Sequence, residues 1–164
     1  MSAAHDANDG AEAMVCCSLD GLAPKMKERV TAAIWECHDI GLDVMLYETT
    51  RTQELQEKYY ARGRTVIPPY RRVTNVKSAQ YGWHFYGLAV DVISRSKRWD
   101  ASPDWWTKVA AIFSDHGLDW GGNWRSPDEP HFQLAGLRDS PSDKARSLYA
   151  EGGLRAVWQA VGAI

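Results

Sequence analysis

The clearest hydrophobic pattern begins at Pro24, where Met26, Val30, Ala33, Ile34 and Cys37 recur at helical spacing. Pro24 suits a first helical position and Gly41 a stop, so a helix is predicted from Pro24 to about Asp39. A short strand is read over Asp43 to Glu48. Thr52 can cap a second helix running to about Ala61, with Glu54 favourable in its first turn. The run Gly87-Leu88-Ala89-Val90-Asp91-Val92-Ile93 reads as a buried strand carrying one acid. A third helix is predicted from Pro103 to His116, with Trp105, Val109, Ile112, Phe113 and His116 on one face. A short strand follows at His131 to Leu134. The tail from Ser142 to about Val161 reads as one or two small helices broken at Gly152-Gly153. Segregated helices and short strands, with no repeat and no linker, point to one α+β domain over residues 20–164. Residues 1–19 are small and polar and are expected to form a flexible N-terminal arm.

One connection stands out. Gly63 to Gly82 contains Pro68-Pro69 and several basic residues, and it exceeds ordinary loop length, which is typical of functional or mobile segments.

Composition narrows the function. Hydrophobic residues at 45% and charged residues at 24% of 164 positions are globular values. The net charge is -2, and the basic groups Arg62–Arg64 and Arg71–Arg72 are too short for a phosphate-tracking stripe, so nucleic acid is not expected as a partner. Those arginines are expected on a solvated loop. No run approaches the roughly 20 apolar residues of a membrane span, and the first residues lack a signal-peptide pattern. Cys16, Cys17 and Cys37 do not form a disulfide framework, which fits synthesis in a reducing cytoplasm. Of eight tryptophans, six fall between Trp83 and Trp124, where a core or a groove would use them.

The chemistry lies in two clusters. His84 and Asp91 sit seven positions apart in apolar surroundings, and a buried carboxylate needs a cation, donors or a metal. On one straight strand they would be roughly 23 Å apart, so the chain must turn between them, and Gly87 permits the turn. The second cluster is Asp128-Glu129-Pro130-His131, in which Pro130 directs His131 into a strand. His84, Asp91 and His131 together make a two-imidazole, one-carboxylate set of the kind that holds catalytic zinc with a fourth position left to water. A core His–Asp pair is the plainer reading. Asp128 and Glu129 are both available as a general base, and Arg51 reads as a cap or as a partner of Glu48 or Glu54.

Trp83-His84-x-x-Gly87-x-Ala89-x-Asp91 followed by Asp128-x-Pro130-His131-Phe132 resembles the D-alanyl-D-alanine carboxypeptidase and L-alanyl-D-glutamate endopeptidase family of zinc peptidases. The likeness reaches upstream to Tyr47-Glu48-Thr49-Thr50-Arg51-Thr52-x-x-x-Gln56 and Tyr60 to Thr65, and covers about residues 25–135. It implies a small antiparallel sheet with helices packed against it, the fold shared with VanY-like and VanX-like enzymes and the hedgehog domain. It implies one catalytic Zn2+ held by His84, Asp91 and His131, with Asp128 as general base and Arg51 stabilising the oxyanion. Glu129 is then expected to face solvent, and Tyr81, Trp83, Gln56 and Trp124 to contact substrate. Gly82 departs from the pattern, since many relatives carry Ser two positions before the first His.

The activity implied is hydrolysis of the peptidoglycan stem peptide at L-alanyl-D-glutamate. For a small chain of this kind it also implies a monomeric phage endolysin, made in the host cytoplasm and released to the wall through a holin pore. The rivals are a D-alanyl-D-alanine carboxypeptidase or dipeptidase, and a non-catalytic zinc-stabilised wall-binding module. A glycosidase using Glu48 ranks below these, because nothing selects its second carboxylate. His116 and His38 are expected to be structural, Cys37 to be buried, and His5 to have no specific role.

Overall fold

The computed structural model describes residues 9–66 and 70–164. Four α-helices, α1 (Pro24–Asp39), α2 (Gln53–Ala61), α3 (Pro103–Asp115) and α4 (Asp143–Ala160), accompany a four-stranded antiparallel sheet. Its strands are β1 (Val44–Glu48), β2 (Ala89–Ser94), β3 (Leu118–Trp120) and β4 (His131–Leu134), in the order β1-β2-β4-β3. The predicted α+β architecture is therefore observed.

Pro24 begins α1, and Thr52 Oγ1 accepts the Leu55 N–H at 3.2 Å to start α2. Ser102 starts α3 in the same way, accepting from the Trp105 N–H at 3.2 Å. The break expected in the tail is present, since Gly152 and Gly153 leave helical geometry inside α4. β3 was not predicted, because three residues are too few to show a period.

Side chains alternate across β2 and β4, so Asp91 and His131 stand on the face opposite Val90, Val92, Phe132 and Leu134. Val90, Val92, Phe132 and Leu134 join the core with Met26, Val30, Val109 and Phe113, and the Phe113 and Phe132 rings meet at 4.4 Å. The opposite face carries Asp91, His131 and Gln133. On α3 the fully packed indole is Trp106 rather than Trp105. Trp105 is half-buried because its Nε1–H turns out to donate to Asp43 Oδ1 at 3.1 Å. His116 ends α3 facing Glu36 at 2.7 Å, and His38 meets the Val44 carbonyl at 2.6 Å, which makes both structural. Cys37 is buried, and burial pushes its thiol up to about 11.

Two expectations are corrected. Of the arm expected over residues 1–19, residues 1–8, including His5, lie outside the described residues, and the remainder is docked at several points while Glu12, Ala13, Cys17 and Ser18 stay exposed. Ala11 is buried against Leu55 and Tyr59, and Asp9 accepts from Arg62 Nε and Nη2 at 2.8 and 3.0 Å. Short polar residues carried no periodicity, but they carry the hydrogen bonds that dock the segment. The same pairing removes Arg62 from the solvated loop: its guanidinium stacks on Tyr59 and Tyr70, with centroid distances of 5.2 and 4.8 Å. Arg71 and Arg72 are exposed as expected, and Pro68-Pro69 lie outside the described residues.

Candidate metal centre and cleft

His84 stands on a short 3-10 turn, Trp83–Tyr86, that ends at Gly87. Gly87 has φ 66°, and a Cβ there would come within 2.4 Å of the Gly21 carbonyl oxygen, so only glycine fits. The chain reverses at this point and enters β2 two residues before Asp91. Asp91 pairs with His131 across β4 and with Glu48 across β1, which places Glu48, Asp91 and His131 in one row over the sheet.

The structure brings His84, Asp91 and His131 together, with one donor atom from each inside a 4.8 Å group. His84 Nε2 lies 3.1 Å and His131 Nδ1 3.3 Å from the same oxygen, Asp91 Oδ1. Tetrahedral ligands about 2.0–2.2 Å from an ion are themselves roughly 3.4 Å apart, so the spacing suits a metal of zinc's size.

The proton positions sharpen the fit. His84 Nδ1 faces the Thr49 carbonyl at 2.7 Å, and a carbonyl only accepts, so Nδ1 carries the proton. Gln133 Nε2 donates to the Arg138 carbonyl at 2.9 Å, which turns Gln133 Oε1 toward His131 Nε2 at 3.1 Å. His131 Nε2 is therefore the protonated nitrogen. Both remaining lone pairs aim at one carboxylate oxygen, an arrangement that repels itself unless a cation or proton lies among the three. The electrostatics agree. Burial alone pushes the His84 pKa down, but the Asp91 carboxylate outweighs it and holds the value above normal. Burial raises Asp91, yet the two imidazoles hold its carboxyl well below the usual range.

Arg51 follows β1 and points into the same cleft. Its Nε and Nη2 grip Glu48 at 2.5 and 2.9 Å, Nη1 reaches Gln56 Oε1 at 3.2 Å, and Nη2 lies 3.7 Å from Asp91 Oδ2. Burial disfavours its charge, but the Glu48 bond more than compensates and holds its pKa above normal. Glu48 is 1% exposed and committed to Arg51, which removes it as a free carboxylate for glycosidase chemistry.

Asp128 lines the cleft at the rim of the His–Asp–His group. Although the residue as a whole is exposed, desolvation first and then the Asp91 charge raise its carboxyl above the ordinary value in the metal-free protein. Its loop is folded against Gly121, whose carbonyl accepts from the Asp128 N–H at 2.9 Å, and a Cβ on Gly121 would meet the Asp128 carbonyl oxygen at 2.7 Å. Glu129 is exposed, with only its carbonyl engaged, by Trp120.

Two lobes open on either side. One of about 390 Å³ runs from Asp91 past Tyr47, Tyr59 and Trp99, and one of about 200 Å³ runs past Tyr81, Gly82 and Trp124. Tyr81 is exposed beneath Arg146, and Trp124 packs 4.9 Å from the His131 ring. Trp83 and Gln56 also reach the cleft wall but are committed to protein partners. Trp83 Nε1 donates to the Arg138 carbonyl at 2.7 Å, and Gln56 Nε2 to the Val76 carbonyl at 2.6 Å. A Cβ on Gly82 would meet nothing closer than 3.7 Å, so the missing Ser is not a steric necessity. Thr49, Gln133 and Gly121 escaped the sequence reading. Each acts on a neighbour in space, and only Gln133, two positions after His131 on one strand face, left a periodic signal.

Comparison with known proteins follows the same lines. A family model described as D-alanyl-D-alanine carboxypeptidase matches residues 76–134, the segment holding all three clustered side chains. The peptidoglycan L-alanyl-D-glutamate endopeptidase CwlK of Bacillus subtilis (strain 168) is 31% identical over an alignment of 127 positions, with 69% of this chain and 73% of CwlK covered. The fold resembles that of the Serratia marcescens L-Ala D-Glu endopeptidase ChiX, with a TM-score of 0.54, 21% identity and coverage of 71% of this chain and 83% of that one. It also resembles the D,D-pentapeptidase VanY of a VanB-type vancomycin resistance cassette, solved as a mutant with Zn(II), at a TM-score of 0.55, 13% identity and 83% coverage of both chains. With the clustered side chains and the relationship to CwlK in hand, this chain belongs to the D-alanyl-D-alanine carboxypeptidase family of peptidoglycan peptidases.

Proposed function

We propose that the chain is a zinc endopeptidase that cuts the L-alanyl-D-glutamate bond of the peptidoglycan stem peptide. The observation that carries the metal is the pair of imidazole lone pairs, each fixed by an acceptor behind its ring, converging on Asp91 Oδ1. The choice of bond rests on the relationship to CwlK.

His84, Asp91 and His131 would hold the ion. When bound, zinc supplies Lewis-acid chemistry, polarising a carbonyl and lowering the pKa of a water to about 7. Asp128 accepts the proton from the attacking water as the new C–O bond forms, then delivers it to the amide nitrogen as the C–N bond breaks. Arg51, braced by Glu48, donates to the oxygen on which charge gathers, a contribution of about 3 kcal/mol for a well-placed donor. Tyr81 and Trp124 offer aromatic surface to the stem peptide, while Gln56 and Trp83 hold the wall in shape.

The test is digestion of purified peptidoglycan by the zinc-loaded protein, with products identified by mass spectrometry. New L-alanine carboxyl ends and D-glutamate amino ends are expected, and free D-alanine would establish the carboxypeptidase instead. His131→Ala should lose both zinc and turnover; full turnover with the metal gone overturns the mechanism. The phage setting, with a monomer made in the host cytoplasm and passed through a holin pore, rests on the sequence resemblance. Lysis of permeabilised Gram-negative cells tests it. Among the described residues no helix is long and apolar enough to cross a membrane.

A further inference from the structure

Thr49 has entered so far only through its carbonyl, yet every polar atom it owns is engaged. It is fully buried just past the end of β1. Its N–H donates to the Cys16 carbonyl at 2.6 Å. Its hydroxyl donates to the Ser18 carbonyl at 2.7 Å, with the Cys16 carbonyl at 3.0 Å and the Cys16 Sγ at 3.5 Å. Its own carbonyl takes the His84 Nδ1–H at 2.7 Å. A single residue thus connects the N-terminal segment to the first imidazole of the cluster.

The segment is itself anchored on both sides of this point. Upstream, Asp9 is clasped by Arg62, and Ala11 lies in a small apolar cluster with Leu55 and Tyr59. Downstream, the Ala23 N–H donates to the Gly87 carbonyl at 3.0 Å, and the Gly21 carbonyl fills the space a side chain at Gly87 would need. The N-terminal segment therefore braces the His84 turn twice, through Thr49 and at its exit through Gly87.

We propose that Thr49 is a positioning residue for His84, and that the Cys16–Ser18 backbone is the fixed support that lets it act. The inference rests on His84 being a metal ligand. An acceptor behind an imidazole sets which nitrogen is bare and where the ring points, and losing such an acceptor typically weakens metal binding about 10–100-fold. Here the acceptor is a carbonyl that no substitution can remove, so its placement is the adjustable quantity. The hydroxyl is what substitution can reach. Replacing it with a methyl leaves the Ser18 carbonyl without its buried donor and frees Thr49 to shift.

The experiment uses the full chain, stripped of metal and titrated with zinc against a chromophoric chelator. Thr49→Val is expected to weaken zinc about tenfold, the lower end of that range because the hydroxyl acts one bond removed from the ring. Thr49→Ser, which keeps the hydroxyl, should stay within about twofold of the wild type. A packing role alone would lower the thermal midpoint of Thr49→Val and leave the zinc affinity unchanged, and that result overturns the proposal. Nitrogen-15 NMR of the metal-free wild type provides a check that does not depend on any variant folding. The His84 Nδ1–H should resist exchange with solvent, and rapid exchange would also overturn the proposal. Failure of the wild type to bind zinc would instead sink the reading of the site itself.

Discussion

His131 lies on a strand and His84 on a turn, and the two are secured in different ways. His131 is registered by the β2–β4 ladder directly opposite Asp91, and its acceptor, Gln133, is two positions along the same strand. Its support is local. His84 hangs from a 3-10 turn whose acceptor, Thr49, lies just past the end of the neighbouring strand β1 and is held in turn by Cys16 and Ser18. Its support is assembled from three distant stretches of chain. One half of the centre is thus built into the sheet, while the other leans on the N-terminal segment through Thr49.

Substitutions can break that comparison, beginning with the residue both halves share. Asp91→Asn removes the common charge, and metal analysis should find the zinc gone. Turnover should fall by about 10³-fold or more, which corresponds to the several kcal/mol a Lewis-acid ion contributes. Asp128→Asn is next. It should lower kcat by about 10²–10⁴-fold with zinc content unchanged, separating the base from the metal.

Asp128 should also show itself in two pH effects. A base works when deprotonated, so kcat/KM of the zinc-loaded protein should be lost as pH falls through the Asp128 pKa, and Asp128→Asn should abolish that limb. In the metal-free protein, desolvation first and then the Asp91 charge raise the Asp128 carboxyl above the ordinary value. In stability, a group whose pKa is raised in the fold favours the native state below its unfolded pKa and loses that contribution as pH rises through the folded value. Asp128→Asn should therefore raise the thermal midpoint of the metal-free protein at neutral pH, and a lower midpoint would count against the crowding of this carboxyl. The smallest effect in this series sharpens the contrast itself. Gln133→Leu should weaken zinc about 10–100-fold, more than Thr49→Val, because Gln133 touches its imidazole directly through a side chain. The fold should survive, since Trp83 continues to donate to the Arg138 carbonyl that Gln133 also serves. Equal losses in the two variants would erase the distinction between local and assembled support.

The same division explains what could be read from the sequence. α1, α2 and β4 were legible because Pro24, Thr52 and Pro130 punctuate strong local patterns, and Gly87 announced the turn that His84 and Asp91 require. The grouping of His84, Asp91 and His131 was legible through ordered motifs. Thr49 was not, because its role depends on Cys16 and Ser18 approaching across the fold and no spacing encodes that meeting. Arg62 was misread for a similar reason: its partner Asp9 lies in a segment with no periodicity. Trp105 and Trp106 both fit a helical face, and only the reach of the Trp105 nitrogen to Asp43 decides which indole packs fully.

The cross-strand row of Glu48, Asp91 and His131 has a further consequence for how such a protein can change over time. The separation between carboxylate and imidazole there is dictated by interstrand distance, a constant of β-structure, rather than by any loop. The aromatic and polar groups bordering the two lobes ride largely on other parts of the chain, including the 63–82 connection and the stretch after β3. Those borders are free to diverge and redefine what enters the cleft while the row beneath them keeps its dimensions. A scaffold of this design separates the question of which bond is presented from the question of how it is broken.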